Sequence, residues 1–598
     1  MKRIYLLITA VICTVLTLSS CSDFFDEDST YVINADENHL TNATDTIYSV
    51  TGILNKLQTI ADRTILLGEA RGDLMDVTAA TSSDLRDVAN FNIADNNQYN
   101  VPRDYYAIIN NCNYFIAHAD TAMKNNRNEN IFKAEYAAVK AIRAWTYLQL
   151  VINYGRVPFV TTPILTKEQA DQEYPSKDIQ GICNYFINED GLKELVDQEY
   201  PNYGDIKSLP SPKFFIPMRL VLGDLCLWAG QYMDAARYYY GYIENKNGMN
   251  TSYPTTITQI RWYYGNSNYT GFTYWDFFED QESNTADAEF ITYIPTDSIP
   301  SEPHYSQLRN IFNTTADNDY KASLVPSAYL KNLSAAQSFC HYDQNANRYV
   351  IAPKGLLIDH SDGDMRLFWN WGQYDNDNFV NANGDRYTRQ YITKYSTRNV
   401  RLYRRMLVYL RLAEALNCAG YPHFAYQILS SGVNRTVITD YIAPYYSEDK
   451  AQMLLSTFTF PDARYVLFTP EQSGTSLGSN ANTLGIHSRG SGFTPMNPDY
   501  QMPVNPDLTG QELLEWQQRK VEDMIMDEEA LEFAFEGYRF YDLMRVALRR
   551  GDPSYLADKV YNRKGADNEA VVRGMLPDLT NTANWYLKWN GQIGLDIK

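Results

Sequence analysis

Glutamates recur every fourth residue at Glu528, Glu532 and Glu536, a spacing that puts three carboxylates on one helix face. Paired carboxylates are the working groups of glycoside hydrolysis, one acting as acid and the other as base or nucleophile across the scissile bond. Neighbours on a single helix, however, present the same side to solvent rather than flanking a bond. Arg539, three residues after Glu536, and Arg545, three after Asp542, offer local ion-pair partners. A solvated, ion-paired helix face is expected, and no catalytic residue is assigned.

Other reactive patterns are incomplete. The 7 histidines include no His-x-x-x-His pair, and none of Cys13, Cys21, Cys112, Cys183, Cys226, Cys340 and Cys418 stands in a Cys-x-x-Cys spacing, so no metal site is written. The cysteines beyond the first two are expected as buried free thiols. The Gly/Ser-rich segment 474–492 lacks the Gly-Lys-Ser/Thr ending of a phosphate-binding loop; its His487 and Arg489 are expected to pin that loop rather than to bind a ligand. No cofactor is expected. Oxygens around Asp359 to Asp364 are of the kind that hold calcium, although solvated turn carboxylates explain them as well.

Aromatic residues in polar surroundings remain. Trp262, Tyr263 and Tyr264, then Tyr269, Tyr274 and Trp275, sit among Asn and Gly, and Trp369 and Trp371 follow Arg366. An aromatic ring stacks on the C–H face of a sugar, and adjacent polar groups satisfy its hydroxyls. Arg71, Asp73 and the run Asn96, Asn97, Gln98 and Tyr99 are candidates for such bonds. Tyrosine alone contributes 48 residues, more than a core ordinarily needs. The net charge of −20, with no basic cluster, argues against a nucleic-acid partner.

Helical pairs should position these groups. Gly223 to Tyr232 reads as the end of one helix, closed at Gly230, and the start of a second through Ala235, Ala236 and Tyr239. Ala413, Gly420, Ala425 and Leu429 repeat those offsets, a tetratricopeptide-like logic in which small residues let antiparallel helices approach. A third helix runs from Ala134 to Leu148 with one apolar stripe, Ala138, Ala141, Ile142, Trp145 and Leu148, and stops before Gly155 and Pro158. The stretches 242–305, 341–391 and 471–500 lack helical periodicity and are expected as long loops.

At the amino end, Lys2 and Arg3 precede an apolar run from Ile4 to Leu18, which reads as a signal peptide. Leu18-Ser19-Ser20-Cys21 resembles a bacterial lipobox, which implies acylation of Cys21. The acidic stretch from Ser22 to Asp28 reads as a tether and resembles the surface-export signal of Bacteroidetes lipoproteins. Residues 1–20 are thus expected as signal peptide, 21–40 as lipidated tether and 41–598 as one binding domain.

Six segments then resemble the SusD/RagB family of nutrient-uptake lipoproteins: 68–73; 140–144 running into 153–159; 227–230; 392–395; 409–415; and 531–545, Leu-Glu-Phe-Ala-Phe-Glu-Gly-Tyr-Arg-Phe-Tyr-Asp-Leu-Met-Arg. The chain departs from the family at Asp527-Glu528-Glu529-Ala530, where basic residues are common, and at Trp585 to Trp589, where a proline-rich ending is usual. The resemblance implies a mainly α fold of tetratricopeptide-like helix pairs carrying a loop-rich ligand face. It implies a non-enzymatic, outer-membrane, surface-exposed protein that hands glycan to a SusC-like TonB-dependent transporter. The same architecture would admit oligopeptide capture, and a surface glycoside hydrolase is the reading from a different class.

Overall fold

The computed structural model describes residues 43–124, 126–128, 130–206, 209–244, 255–257, 259–264, 267–272, 290–296, 305–312, 322–343, 348–352, 363–374, 389–395, 399–460, 468–470 and 485–595. Its frame is helical. The principal helices are α1 (Ala43–Leu57), α2 (Ala61–Ala70), α3 (Pro102–His118), α4 (Lys133–Tyr154), α5 (Ile179–Asn188), α6 (Met218–Trp228), α7 (Tyr232–Ile243), α8 (Met365–Asn370), α9 (Arg405–Cys418), α10 (Pro422–Ser430), α11 (Gly510–Phe533) and α12 (Arg539–Arg550). Successive helices pack side by side: α3 on α4, α4 on α5 and α6, α6 on α7, α7 on α9, and α9 on α10 and α11.

Both expected helix pairs form. In α6, a Cβ on Gly223 would lie 2.6 Å from the Tyr239 ring, so the bare glycine is what lets α7 approach. The α6–α7 and α9–α10 turns close at Gly230 and Gly420, with φ of +78° and +89°, a conformation that favours glycine. Helix α4 differs from its expected single stripe. From Ala137 to Tyr154 every residue except Gln149 is buried, because α3, α5 and α6 surround it. Its two cations pair internally: Arg143 Nη2 lies 2.5 Å from Asp190 Oδ1, and Lys140 also reaches Asp190.

Strands are short, and among the described residues each sheet has two. Those that bear on the site are β1 (Met75–Val77), β2 (Gln259–Tyr264), β3 (Ser267–Phe272), β4 (Phe290–Ile294), β5 (Leu324–Pro326), β6 (Trp371–Tyr374), β7 (Arg389–Ile392) and β8 (Val400–Arg404). These pair antiparallel, β1 with β5, β2 with β3, β4 with β8, and β6 with β7, whereas Phe468–Pro470 pairs parallel with Thr255–Ile257. The stretches expected as plain loops therefore contain ladders that satisfy backbone groups loops would leave to water.

Many tyrosines belong to the interior. Tyr106 and Tyr147 donate to the carbonyls of Pro158 and Val160, each at 2.7 Å, and Tyr239 and Tyr403 donate to the partly buried Asp224 at 2.6 and 2.5 Å. The phenol brings apolar area together with one donor that reaches an otherwise orphaned acceptor. Cys112, Cys183, Cys226 and Cys340 are buried and Cys418 partly so, all as free thiols.

Two sequence segments far apart in the chain meet at the centre. Gly68 abuts Gly537, where a Cβ would stand 1.8 Å from the Gly537 carbonyl oxygen, and Glu69 Oε1 accepts the Gly537 N–H at 2.8 Å. Arg539 forks onto Asp73 at 2.6 and 2.7 Å. Arg71 donates to the Trp585 carbonyl at 2.9 Å and to Asn153 Oδ1 at 2.6 Å. Within the aromatic ending Trp585 and Leu587 are thus core, whereas Tyr586 and Trp589 are only partly buried and Lys588 is exposed.

Gly68→Ala should cost about 1–3 kcal/mol or more, since the obstacle is backbone rather than a movable side chain; urea denaturation checks it. Burial pushes the Glu69 carboxyl up to about 7 from 4.5, against the hydrogen bond from Gly537. Between those two values the folded protein holds a proton that the unfolded chain has released. Stability therefore falls as pH rises through that window and levels off above it. Glu69→Gln should remove this slope, so wild type minus variant should become less favourable between pH 5 and 7.5. Parallel denaturation profiles would contradict it.

Candidate ligand-binding site

The three spaced glutamates are buried, which corrects the expectation of a solvated face. Helix α11 ends at Phe533, and Glu536 follows in a turn that includes Phe535 at φ +76°. Glu528 meets Arg366 Nη1 at 2.5 Å and His487 Nδ1 at 2.8 Å. Glu532 meets Arg404 Nη1 at 2.8 Å, Arg366 Nη1 at 3.0 Å and Arg489 Nε at 3.2 Å. Glu536 meets Lys394 Nζ at 2.5 Å and Arg404 Nε at 2.7 Å. The anticipated local partner of Glu536 is absent from this set, because Arg539 is spent on Asp73. The other, Arg545 to Asp542, forms at 3.0 Å.

Burial by itself would raise the Glu532 carboxyl, yet the guanidiniums of Arg489, Arg404 and Arg366 overcome it and hold the group well below the usual carboxylate range. Glu536 is lowered in the same way, by Arg404 and Lys394 against burial. Burial pushes the Lys394 ammonium down to about 8, opposed by Glu536. A carboxylate kept ionised by several cations is a poor general acid, so Glu532 and Glu536 lack the asymmetry that hydrolysis needs.

Every cation comes from a segment outside the helix pairs. Arg366 lies on α8, fixed also by Asp364 at 2.7 Å. Lys394 follows β7, Arg404 ends β8, and His487 and Arg489 lie in the Gly/Ser-rich segment. That segment closes tightly on its neighbours: a Cβ at Gly490 would meet Asp364 Oδ1 at 2.0 Å, Ser491 Oγ donates to Asp364 Oδ2 at 3.0 Å, and the His487 ring stacks on Tyr500 with centroids 3.8 Å apart. His487 and Arg489 are therefore loop pins, as expected.

The aromatic candidates gather on this anchored region. Trp262, Tyr263 and Tyr264 lie on β2 and Tyr269 on β3, with Trp262 and Tyr269 register partners. Strand β3 runs beside the turn Ser488–Ser491, as does α8, which carries Trp369 and leads into Trp371 at the start of β6. Trp371 is partly buried against the core. Tyr274 and Trp275, like Asp359, lie outside the described residues.

Other candidates are placed differently. Arg366, Arg71 and Asp73 are buried and engaged in the internal bonds given above, which corrects their assignment to a ligand surface. Asn97 is buried, donating to the Asp84 carbonyl at 3.0 Å and accepting the Tyr99 N–H at 2.9 Å, and Tyr99 is nearly buried. Asn96 is exposed in the same turn. The buried cations partnering the glutamates escaped the sequence reading. Their signal was the apolar company of the glutamates, Ala530, Leu531 and Phe533, which marks that side of α11 as interior.

Residues 492–586 match the sequence profile of the SusD family. A SusD superfamily protein from Bacteroides thetaiotaomicron VPI-5482 superposes with a TM-score of 0.52 at 15% identity, covering 93% of this chain and 96% of its own. A second, from Bacteroides vulgatus ATCC 8482, gives 0.51 at 15% identity, covering 90% and 99%. No curated protein matches the sequence. The chain has the SusD fold, and it is SusD/RagB-like in sequence over its carboxy-terminal segment. Among the described residues no helix is long and apolar enough to cross a membrane.

Arg366→Met leaves Asp364, Glu528 and part of Glu532 buried without their shared cation, and should cost about 3–5 kcal/mol in urea denaturation. Arg573→Met, which removes an exposed pair with Glu569 at 2.7 Å, should cost at most about 0.5 kcal/mol.

Proposed function

We propose that this protein is a surface lipoprotein that binds oligo- or polysaccharide without cleaving it and delivers it to a SusC-like TonB-dependent transporter. Residues 1–20 would be removed on export, 21–40 would form the tether acylated at Cys21, and 41–598 the binding domain. One observation carries the reading: within a SusD fold, the strand bearing Tyr269 and the helix bearing Trp369 adjoin one turn that buried ion pairs hold to α11, and the strand bearing Trp262, Tyr263 and Tyr264 pairs with the first of these. Rings on such a fixed base lose little freedom when a sugar stacks on them. The locked state of Glu528, Glu532 and Glu536 supports binding over hydrolysis.

Calorimetry on the mature protein with soluble polysaccharides and, separately, mixed oligopeptides tests this. Glycan binding is expected, weakened about tenfold in Trp262→Ala or Trp369→Ala, the scale of one lost stacking contact. Binding of peptides alone would replace glycan with peptide as cargo, and release of reducing ends would restore the hydrolase reading. Cys21→Ala should move the protein from the membrane to the soluble fraction; unchanged fractionation in cells lacking the transporter would contradict the anchor.

A further inference from the structure

A cleft of about 340 Å³ opens where the α6–α7 turn faces the start of α5, the last turns of α12 and Tyr586. None of its lining residues belongs to the loop face. Trp228, Tyr232 and Tyr586, each partly buried, line it together with Leu227 and Leu548; Arg545 and Arg549 also line it, and Asp178 and Gln180 are exposed at its edge.

The rings are fixed by their surroundings. Gly155 ends α4 at φ +73°, and a Cβ there would lie 2.9 Å from the Tyr586 ring, so this ring sits directly on bare backbone. The Arg545 guanidinium lies 5.5 Å from the Trp228 centroid and is clamped by Glu414 at 2.5 Å and Asp542 at 3.0 Å. Arg549 lies 5.9 Å from the Tyr232 centroid and is held by Glu522 at 2.5 Å and Glu414 at 3.2 Å. Gln180 Nε2 donates to the Trp228 carbonyl at 2.9 Å, which points its amide oxygen to service as an acceptor at the edge.

Charge then selects the ligand. The two arginines are matched by buried carboxylates, so they offer little net attraction to an anion, and with Asp178 at the mouth an anion is further disfavoured. A cation fares no better, because those charges are already balanced and the exposed Asp178 is engaged by Arg156 at 3.8 Å and by the Gly181 N–H at 2.8 Å. What suits three aromatic rings, an edge carboxylate and an edge amide is a neutral, hydroxyl-rich ligand with apolar faces. The volume lies at the lower end of small-molecule pockets, about 300–1,000 Å³, enough for one or two sugar rings. We infer that this cleft is a second saccharide subsite, separate from the loop face, gripping one or two neutral sugar rings between Trp228, Tyr232 and Tyr586.

This inference rests on the glycan-binding reading, and its test separates the two. Cellohexaose, xylohexaose, mannohexaose and maltohexaose are titrated singly into the mature protein by calorimetry. The cleft is altered by Trp228→Ala and, at an exposed position that leaves packing intact, by Gln180→Trp, which fills the mouth. The expected result is that a Trp262→Ala/Trp369→Ala protein keeps residual binding to a hexaose, and that either cleft substitution lowers it at least tenfold without changing the denaturation midpoint for Gln180→Trp. Binding that depends on Trp262 or Trp369 but is the same with and without the cleft substitutions overturns the subsite and leaves the glycan reading standing. No binding of any hexaose by the unaltered protein overturns both. Unchanged hexaose affinity in Gln180→Trp together with loss of co-purification of a membrane protein assigns the cleft to a protein partner and overturns the saccharide subsite.

Discussion

Three carboxylates cannot be taken out of water along the end of α11 and the turn after it unless cations follow them, and that constraint organises the molecule. Desolvating even one carboxylate costs several kcal/mol, and the cost is offset only where geometry is good and the remaining lone pairs are bonded. Here Arg366, Lys394, Arg404 and Arg489 supply the charge, with His487 on Glu528. Because they come from separate segments outside the helix pairs, α11 and the turn that follows it fix α8, β7, β8 and the 485–497 turn relative to one another. Their own apolar side chains, such as Met365, Ile392, Val400 and Ile486, are buried as well, but the ion pairs add a directional register that a hydrophobic contact, being non-directional, specifies less well.

A second junction closes the frame on itself. The 68–73 segment near the amino end and the 536–541 segment near the carboxy end meet through Gly68 on Gly537, Glu69 on the Gly537 N–H and Asp73 on Arg539. Arg71 then reaches the Trp585 carbonyl, and the final aromatic residues cover it. The segment joining these two systems is short: Glu536 belongs to the ion-pair row and Gly537 to the junction. One turn therefore links the two systems.

Much of the helical frame was legible in the sequence because its signals are local. Gly223, Gly230 and Gly420 report close approach and helix closure from their own identity, and the pairs they predict are present. The charged interior was not legible in the same way. Asp73, Arg71 and Arg366 look like surface residues from their chemistry, and only partners 82 to 514 positions away in sequence, such as Asn153, Trp585 and Glu528, explain their burial. Tyrosine misleads for a related reason: a residue that suits a sugar platform also suits an interior carbonyl, as Tyr106 and Tyr147 demonstrate. The aromatic run on β2 and β3 could be picked out as a candidate because ring content and polar neighbours are adjacent in sequence, whereas Trp228, Tyr232 and Tyr586 lie on elements that sequence does not place together.

Hydrogen exchange read by mass spectrometry on Glu532→Gln, at a pH and temperature where the variant remains folded, tests the organising role of the ion-pair row most directly. If the row holds the face, peptides covering 365–374, 389–404 and 485–497 should all lose protection together, while those from α6, α7 and α10 keep theirs. Loss confined to the end of α11, with those three segments protected as before, would contradict it.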